Sequence, residues 1–231
     1  MCKKKIQQVL ESMSNDETQL QSDTADIVMM MEDKCCFLRE CFVDLNYGTY
    51  YGQNSGGGAC QYAGPLPRAA TDPKIWALVA INRPQFLDSL TCGICLKIAF
   101  CLGSVDFALK GDGRWSISMQ AVQCPVGGST IQYAFQGSNP WYIKLQIRNA
   151  RIPITKALVR RNNNWVTMQR SQDGFWILSD GQPMPDGPIG VRLTAANGYV
   201  MEDSIPRIDN SNVLEGQRRV QVPYDPSLPS A

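Results

Sequence analysis

A chain of 231 residues, 44% of them hydrophobic, is long enough to bury one large core or two small ones. Its net charge of +1, with no basic run beyond Lys3 to Lys5, argues against nucleic acid as a partner. The sequence contains no histidine, which excludes Ser-His-Asp and Cys-His nucleophile pairs and any imidazole metal site, and leaves carboxylates, thiols, tyrosines or binding alone.

The first residues differ in character from the rest of the chain. Ile6, Val9, Leu10 and Met13 have helical spacing, so a short amphipathic helix is predicted there. Ser14 to Asp26 is polar and acidic, and the longest apolar run, Ile27 to Met31, has only five residues. A secretory core needs roughly 7 to 15 apolar residues and a membrane span about 20, so neither a signal peptide nor an anchor is expected. Residues 1–44 are therefore expected to form a disordered or short-helical leader outside the fold.

Order is expected from Leu45. The aromatic run Tyr47 to Tyr51 leads into the glycines Gly56 to Gly58. No Lys-Ser/Thr and no helical pattern follow those glycines, so a phosphate-cradling loop is ruled out in favour of a tight turn between barrel strands. IWALVAINRPQF and SLTCGICLKIAF supply apolar runs. Five of the nine cysteines (Cys60, Cys92, Cys95, Cys101 and Cys124) fall in this block. Their spacing favours disulfides in an oxidising compartment over a zinc site built from Cys92, Cys95, Cys101 and Cys124, because the last two form no second C-x-x-C. The odd count leaves at least one thiol unpaired. In SVDFAL, Asp106 interrupts an apolar alternation; a carboxylate between valine and phenylalanine is a candidate site residue with a raised pKa, unless it merely ends a strand and faces water. RWSISMQAV is predicted as a strand, closed by a linker-like turn from Cys124 to Gly128.

From Ser129 the pattern changes to short alternating segments. STIQYAFQ, WYIKLQIRN, ITKALVRR, WVTMQR, FWILSD, IGVRLTAANG and YVMEDSIP are predicted strands, separated by turns such as Asp173-Gly174 and Asn197-Gly198. Several short strands at this spacing predict a β-sandwich. Trp165 and Trp176 are expected as core anchors, and Phe175, of opposite parity to Trp176, on the outside. The tail after Pro206 is expected to run extended against the domain. In GSNPWYIKLQIRN, alternation sets Trp141, Ile143, Leu145 and Ile147 on one side and Tyr142, Lys144, Gln146 and Arg148 on the other. By alternation alone Trp141 is a core residue and Tyr142 an ordinary strand tyrosine, yet a flat ring beside amide and cationic donors also suits a sugar face.

Taken together, GTYYGQNSGGGAC, AINRPQFLDSLTCGICLKI, VDF, GRWSISMQAVQCPVGG, QGSNPWYIKLQIRN and VRLTAANGYVMEDSIP occur in one order that resembles the expansins, closest to the microbial and lower-eukaryote expansin-like proteins. The resemblance runs from about Tyr47 to Pro223 and implies an all-β chain. Residues 45–126 would form a six-stranded double-psi β-barrel related to family 45 glycoside hydrolases. Residues 129–223 would form an immunoglobulin-like, cellulose-binding β-sandwich, with 224–231 as a tail. It further implies secretion to the cell wall and loosening of the wall without hydrolysis. No cofactor or metal is implied, the partners are cellulose and other wall glucans rather than nucleic acid or membrane, and the protein is expected to be a monomer.

Residue by residue, Asp106 falls where the family keeps the aspartate that is the general acid of the related hydrolases, and Thr49 and Tyr50 fall on the segment lining the same groove. Trp141 and Tyr142 match two adjacent platform aromatics, which revises the inward placement of Trp141 if alternation begins only after Tyr142. The third platform aromatic aligns on or near Asp173, leaving Phe175 as its substitute. Between Leu96 and Gly103 the chain is shorter than the family pattern, which predicts an incomplete barrel. Two other functions compete. An inverting endoglucanase needs a second carboxylate roughly 6.5 to 9.5 Å from Asp106, and Asp72, Asp88 and Asp112 are unplaced candidates. A binding-only structural or defence module would keep a degenerate barrel.

Overall fold

The computed structural model describes residues 27–31, 43–49, 59–60, 75–79, 81, 86–87, 89–100 and 114–230. Tyr50, Asp72, Asp88, Asp106, Asp112 and Cys101, for which the sequence sets expectations, lie outside these residues. Thr49 closes a strand, with its backbone opposite Arg114.

Among the described residues, the first half forms one five-stranded sheet. Its strands are β1 (Ile27–Met31), β2 (Val43–Thr49), β3 (Ile75–Val79), β4 (Cys95–Phe100) and β5 (Arg114–Val122), in the spatial order β2-β5-β4-β1-β3. This corrects the expected leader: Ile27–Met31 is a strand inside the sheet, parallel to β4 and antiparallel to β3. A run of four to eight apolar residues without alternation is too short for a membrane but suits a strand between two neighbours, one of them parallel. Against this sheet Cys60, Ile81, Phe86, Leu96 and Ile98 form a small core. Two disulfides brace it, Cys60–Cys92 and Cys95–Cys124, with Cα separations of 5.6 and 5.2 Å. The C-x-x-C pair is thus divided between two bridges, so Cys92, Cys95 and Cys124 are not free to hold a metal. Each bridge, closing a loop of 32 or 29 residues, stabilises by about 4 kcal/mol on a chain-entropy account.

The second half is a sandwich. Its strands are β6 (Gln132–Phe135), β7 (Ile143–Arg148), β8 (Ile154–Arg161), β9 (Asn164–Thr167), β10 (Gln169–Arg170), β11 (Trp176–Leu178), β12 (Ile189–Ala195), β13 (Val200–Ile205) and β14 (Val213–Glu215). One sheet has the order β10-β11-β7-β6-β14 and the other β13-β12-β8-β9. Inward residues of both, among them Tyr133, Phe135, Leu145, Val159, Trp176, Val191 and Leu193, form the core. WVTMQR, predicted as one strand, is two: β9 pairs with β8, β10 pairs with β11, and the chain changes sheets at the buried Met168. Trp176 is the core anchor expected of it. Trp165 is not; it lies half-buried outside the second sheet, where the guanidinium of Arg192 stacks on its ring at 4.3 Å. Strand β14 lies within the expected extended tail, where no strand is predicted.

The two sheets are also joined by a polar clasp. Tyr133 on β6 donates its hydroxyl hydrogen to the buried Asp203 on β13 at 3.0 Å, and the backbone N–H groups of Ser204 and Arg218 donate to the same carboxylate. Burial, then the charge and hydrogen bond of Asp203, push the Tyr133 phenol well above its usual range. Gly216 closes the clasp, because a Cβ there would overlap the Asp203 carboxylate.

Residues after Val222 return to the linker. The Gln123 side chain donates to the carbonyls of Asp225 and Leu228 and accepts from the Asp225 N–H, while the Gln123 N–H donates to the carbonyl of Pro229.

Gly216→Ala should destabilise the sandwich by about 3 kcal/mol, from overpacking against a carboxylate whose hydrogen bonds are then displaced. Chemical unfolding monitored by tryptophan fluorescence checks this.

Candidate functional site

The candidate site grows from the turn before β7. Gly137 has φ of +62°, and Asn139 and Tyr142 exchange backbone hydrogen bonds at 2.8 and 3.1 Å, which puts Pro140 and Trp141 at the corner of a tight turn. Asn139 Oδ1 accepts from the N–H groups of Trp141 and Tyr142 at 2.9 and 3.1 Å, an Asx arrangement that Asn before Pro favours. The regular strand starts only at Ile143, so strand alternation does not govern Trp141. Trp141 is 59% exposed. Tyr142 is half-buried, and Ile143 beyond it faces the core.

This turn is held from outside as well as within. Asn210, in the loop after β13, accepts from the Ser138 N–H and donates to the Ser138 carbonyl, at 2.8 and 2.9 Å. Ser138 Oγ accepts from the Lys144 N–H and donates to its carbonyl. The N–H of Met184, in the loop before β12, donates to the Pro140 carbonyl at 2.7 Å. The sequence marks Gly137 to Pro140 as turn residues that let a strand start afresh, but not the bonds that Ser138 and Asn139 make there, nor Asn210.

Farther along the outer face stand Lys144 and Asp173, paired at 2.6 Å, with Lys144 Nζ 4.5 Å from the centre of the Phe175 ring. Burial raises the Asp173 carboxyl, but hydrogen bonds from Lys144 and Ser171 and the Lys144 charge outweigh it and hold the group below its usual range. Phe175 itself corrects the expectation of an outward ring: it is 0% exposed. Parity does set it on the opposite face from Trp176, but that face is covered here by the first half of the chain. Gln146 Nε2 donates to the Cys60 carbonyl at 2.7 Å, Arg170 donates to the carbonyl and hydroxyl of Ser89, and Ser89 Oγ donates to the Ser171 carbonyl. A Cβ at Gly174 would come to 3.0 Å from Cys92 Sγ, so the disulfide lies directly on the turn between β10 and β11. Trp141 and Tyr142 are therefore brought together at the uncovered end of the sheet, and Phe175 is not part of that surface. Among the described residues no cluster of three or more His, Cys, Asp or Glu side chains is placed to hold a metal ion.

Comparison with known proteins supports the fold and shows what the chain is similar to. No protein-family model matches the chain. Expansin-YoaJ of Bacillus subtilis (strain 168) is 26% identical over 100 residues, 43% of this chain and 42% of that protein, so the chain spans less than half the length of this relative. Expansin-B4 of Arabidopsis thaliana is 23% identical over 199 residues, 66% of this chain and 75% of that protein. Among solved structures, the apo expansin of Clavibacter michiganensis superposes with a TM-score of 0.54 at 20% identity, covering 74% of this chain and 94% of that one. A point mutant of the same expansin in complex with cellohexaose gives 0.59, again at 20% identity, over 78% and 98%. The fold is all-β, a double-psi barrel followed by a sandwich. In sequence and in fold the chain is similar to the expansins.

The sign of the Asp173 shift fixes a pH dependence. A carboxyl whose folded pKa is depressed contributes stability that is present above its unfolded pKa and lost as pH falls through the folded value. As pH falls through and below the usual carboxylate range, the wild type should lose stability more steeply than Asp173→Asn, as measured by thermal unfolding at each pH.

Proposed function

We propose that this chain binds cellulose and other cell-wall glucans through Trp141 and Tyr142, and loosens wall polysaccharide without cleaving it, as a secreted, monomeric wall protein. The observation that carries this reading is the exposed indole of Trp141 on a turn fixed by Asn139, Asn210 and Met184. A flat apolar ring held rigidly outward loses little freedom when a sugar lies on it. If sugar stacking resembles base stacking, each ring contributes about 1 to 3 kcal/mol. Tyr142 extends the surface. Beyond it, Lys144 and Asp173 offer hydroxyl partners in place of a third ring. The cellohexaose held by the Clavibacter michiganensis mutant supports the ligand class.

In the first half, Thr49, Tyr50 and Asp106 would contact a glucan in the groove and disturb its hydrogen bonding to neighbouring chains, as the family resemblance implies. Non-hydrolytic action follows from the same resemblance. Endoglucanase action would need a second carboxylate roughly 6.5 to 9.5 Å from Asp106. A binding-only module remains a narrower version of the same proposal.

Two measurements test it. Retention on microcrystalline cellulose should fall by about ten-fold or more in the double variant Trp141→Ala/Tyr142→Ala, and unchanged retention would remove the platform. Soluble glucans should release no reducing sugar above background with wild type or Asp106→Asn. Release by wild type that Asp106→Asn abolishes would establish the endoglucanase instead.

A further inference from the structure

Beside the turn that carries Trp141 lies a shallow cleft of about 200 Å³, which the sequence does not suggest and the platform does not use. Three prolines, Pro140, Pro185 and Pro206, line it together with Ile208, while Asp186 and Arg207 contribute the charged groups. Pro140 is both a wall of the cleft and the residue before Trp141, so cleft and indole sit within one residue of each other along the backbone. The hydrogen bond from the Met184 N–H to the Pro140 carbonyl at 2.7 Å ties the loop bearing Asp186 to the same turn.

The polar groups are arranged for a neutral polyhydroxylated ligand. Asp186 is exposed and has no hydrogen-bond or ion-pair partner among the described residues, leaving both carboxylate oxygens as acceptors. Arg207 spends one nitrogen on Asp209 at 2.8 Å and keeps other N–H groups for a ligand oxygen. Asp209 is fixed in turn by the N–H groups of Ser211 and Asn212 and by the Asn212 side chain, and Asn212, Ser211 and Arg207 hold its carboxyl down at about 2 despite some desolvation. Apolar walls with a few charged groups are the mix found in small-molecule sites, and a cleft of about 200 Å³ leaves room for a single ring and not for a longer ligand. The C–H face of such a ring would lie on the pyrrolidines, and a pair of neighbouring hydroxyls would reach Asp186.

We infer that this cleft is a sugar subsite which takes one pyranosyl unit of the polysaccharide stacked on Trp141. The inference rests on the proposed stacking role of Trp141. The unit has two sources, the next residue of a linear chain or a single-sugar branch on a substituted one.

Isothermal titration calorimetry on the full chain separates these, using cellohexaose and a β-1,4-linked glucose hexamer carrying single pyranosyl branches. Asp186→Ala and Arg207→Ala should each raise Kd about ten-fold for at least one of the two, at unchanged melting temperature. Weaker binding of cellohexaose assigns the cleft to the main chain, and weaker binding of the branched ligand alone assigns it to a branch. Wild-type affinity for both ligands in both variants, while Trp141→Ala weakens binding, overturns the subsite and leaves the platform standing. Unchanged binding in Trp141→Ala overturns the platform and the subsite together.

Discussion

The hydrogen bond from Gln146 to the Cys60 carbonyl marks the constraint that shapes the rest of the molecule. It lies on the outer face of a sandwich sheet, a face that in an isolated domain would meet water along its whole length. Here the loop stapled by Cys60–Cys92 sits on that face, and Gln146, Gly174 and Phe175 are buried beneath it. The contacts are polar and directional: an amide onto a carbonyl, a guanidinium onto Ser89, a hydroxyl onto Ser171. Such bonds add modestly to stability but fix register, because each misplacement strands a buried polar group. What remains open to a ligand is the end of the sheet where Trp141 stands.

Fixing that end matters for weak, repetitive ligands. A polysaccharide presents the same face many times, so affinity per contact is small and the entropy of ordering the protein decides whether binding occurs. The turn answers this locally. The Asn139 side chain satisfies the Trp141 amide and adds to the backbone bond of the Tyr142 amide, and Asn210 and Met184 brace the turn from loops far away in sequence. The Lys144–Asp173 pair beyond Tyr142 is partly shielded, with side chains 18% and 23% exposed, so its geometry is less screened than that of an ordinary surface pair.

Much of the architecture is legible in the sequence because alternation reports a strand and its faces directly. Leu145, Val159, Trp176, Val191 and Leu193 face the core as their parity requires. Parity is silent on what lies against a face, which is why Phe175 is expected outside and is found buried. It is equally silent where a strand has not begun, as at Trp141, whose orientation comes from turn chemistry at Asn139. The change of sheets at Met168 leaves no punctuation to read, since no glycine or proline breaks WVTMQR. Ile27–Met31 escapes notice when a short apolar run is weighed against membrane lengths and not against a strand flanked by two others. The cleft at Pro185 and Arg207 is assembled by loops before β12 and after β13, and no linear pattern announces such a meeting.

The return of residues 225–230 to Gln123 has a mechanical implication. The connector between barrel and sandwich is doubled there, a second length of backbone lying alongside it and bonded to it at several atoms. A single strand of peptide bends freely, whereas two joined side by side resist flexing as a splint does. A load applied to both halves at once would thus meet a stiff joint at Gln123, one that carries force from one half to the other instead of yielding between them.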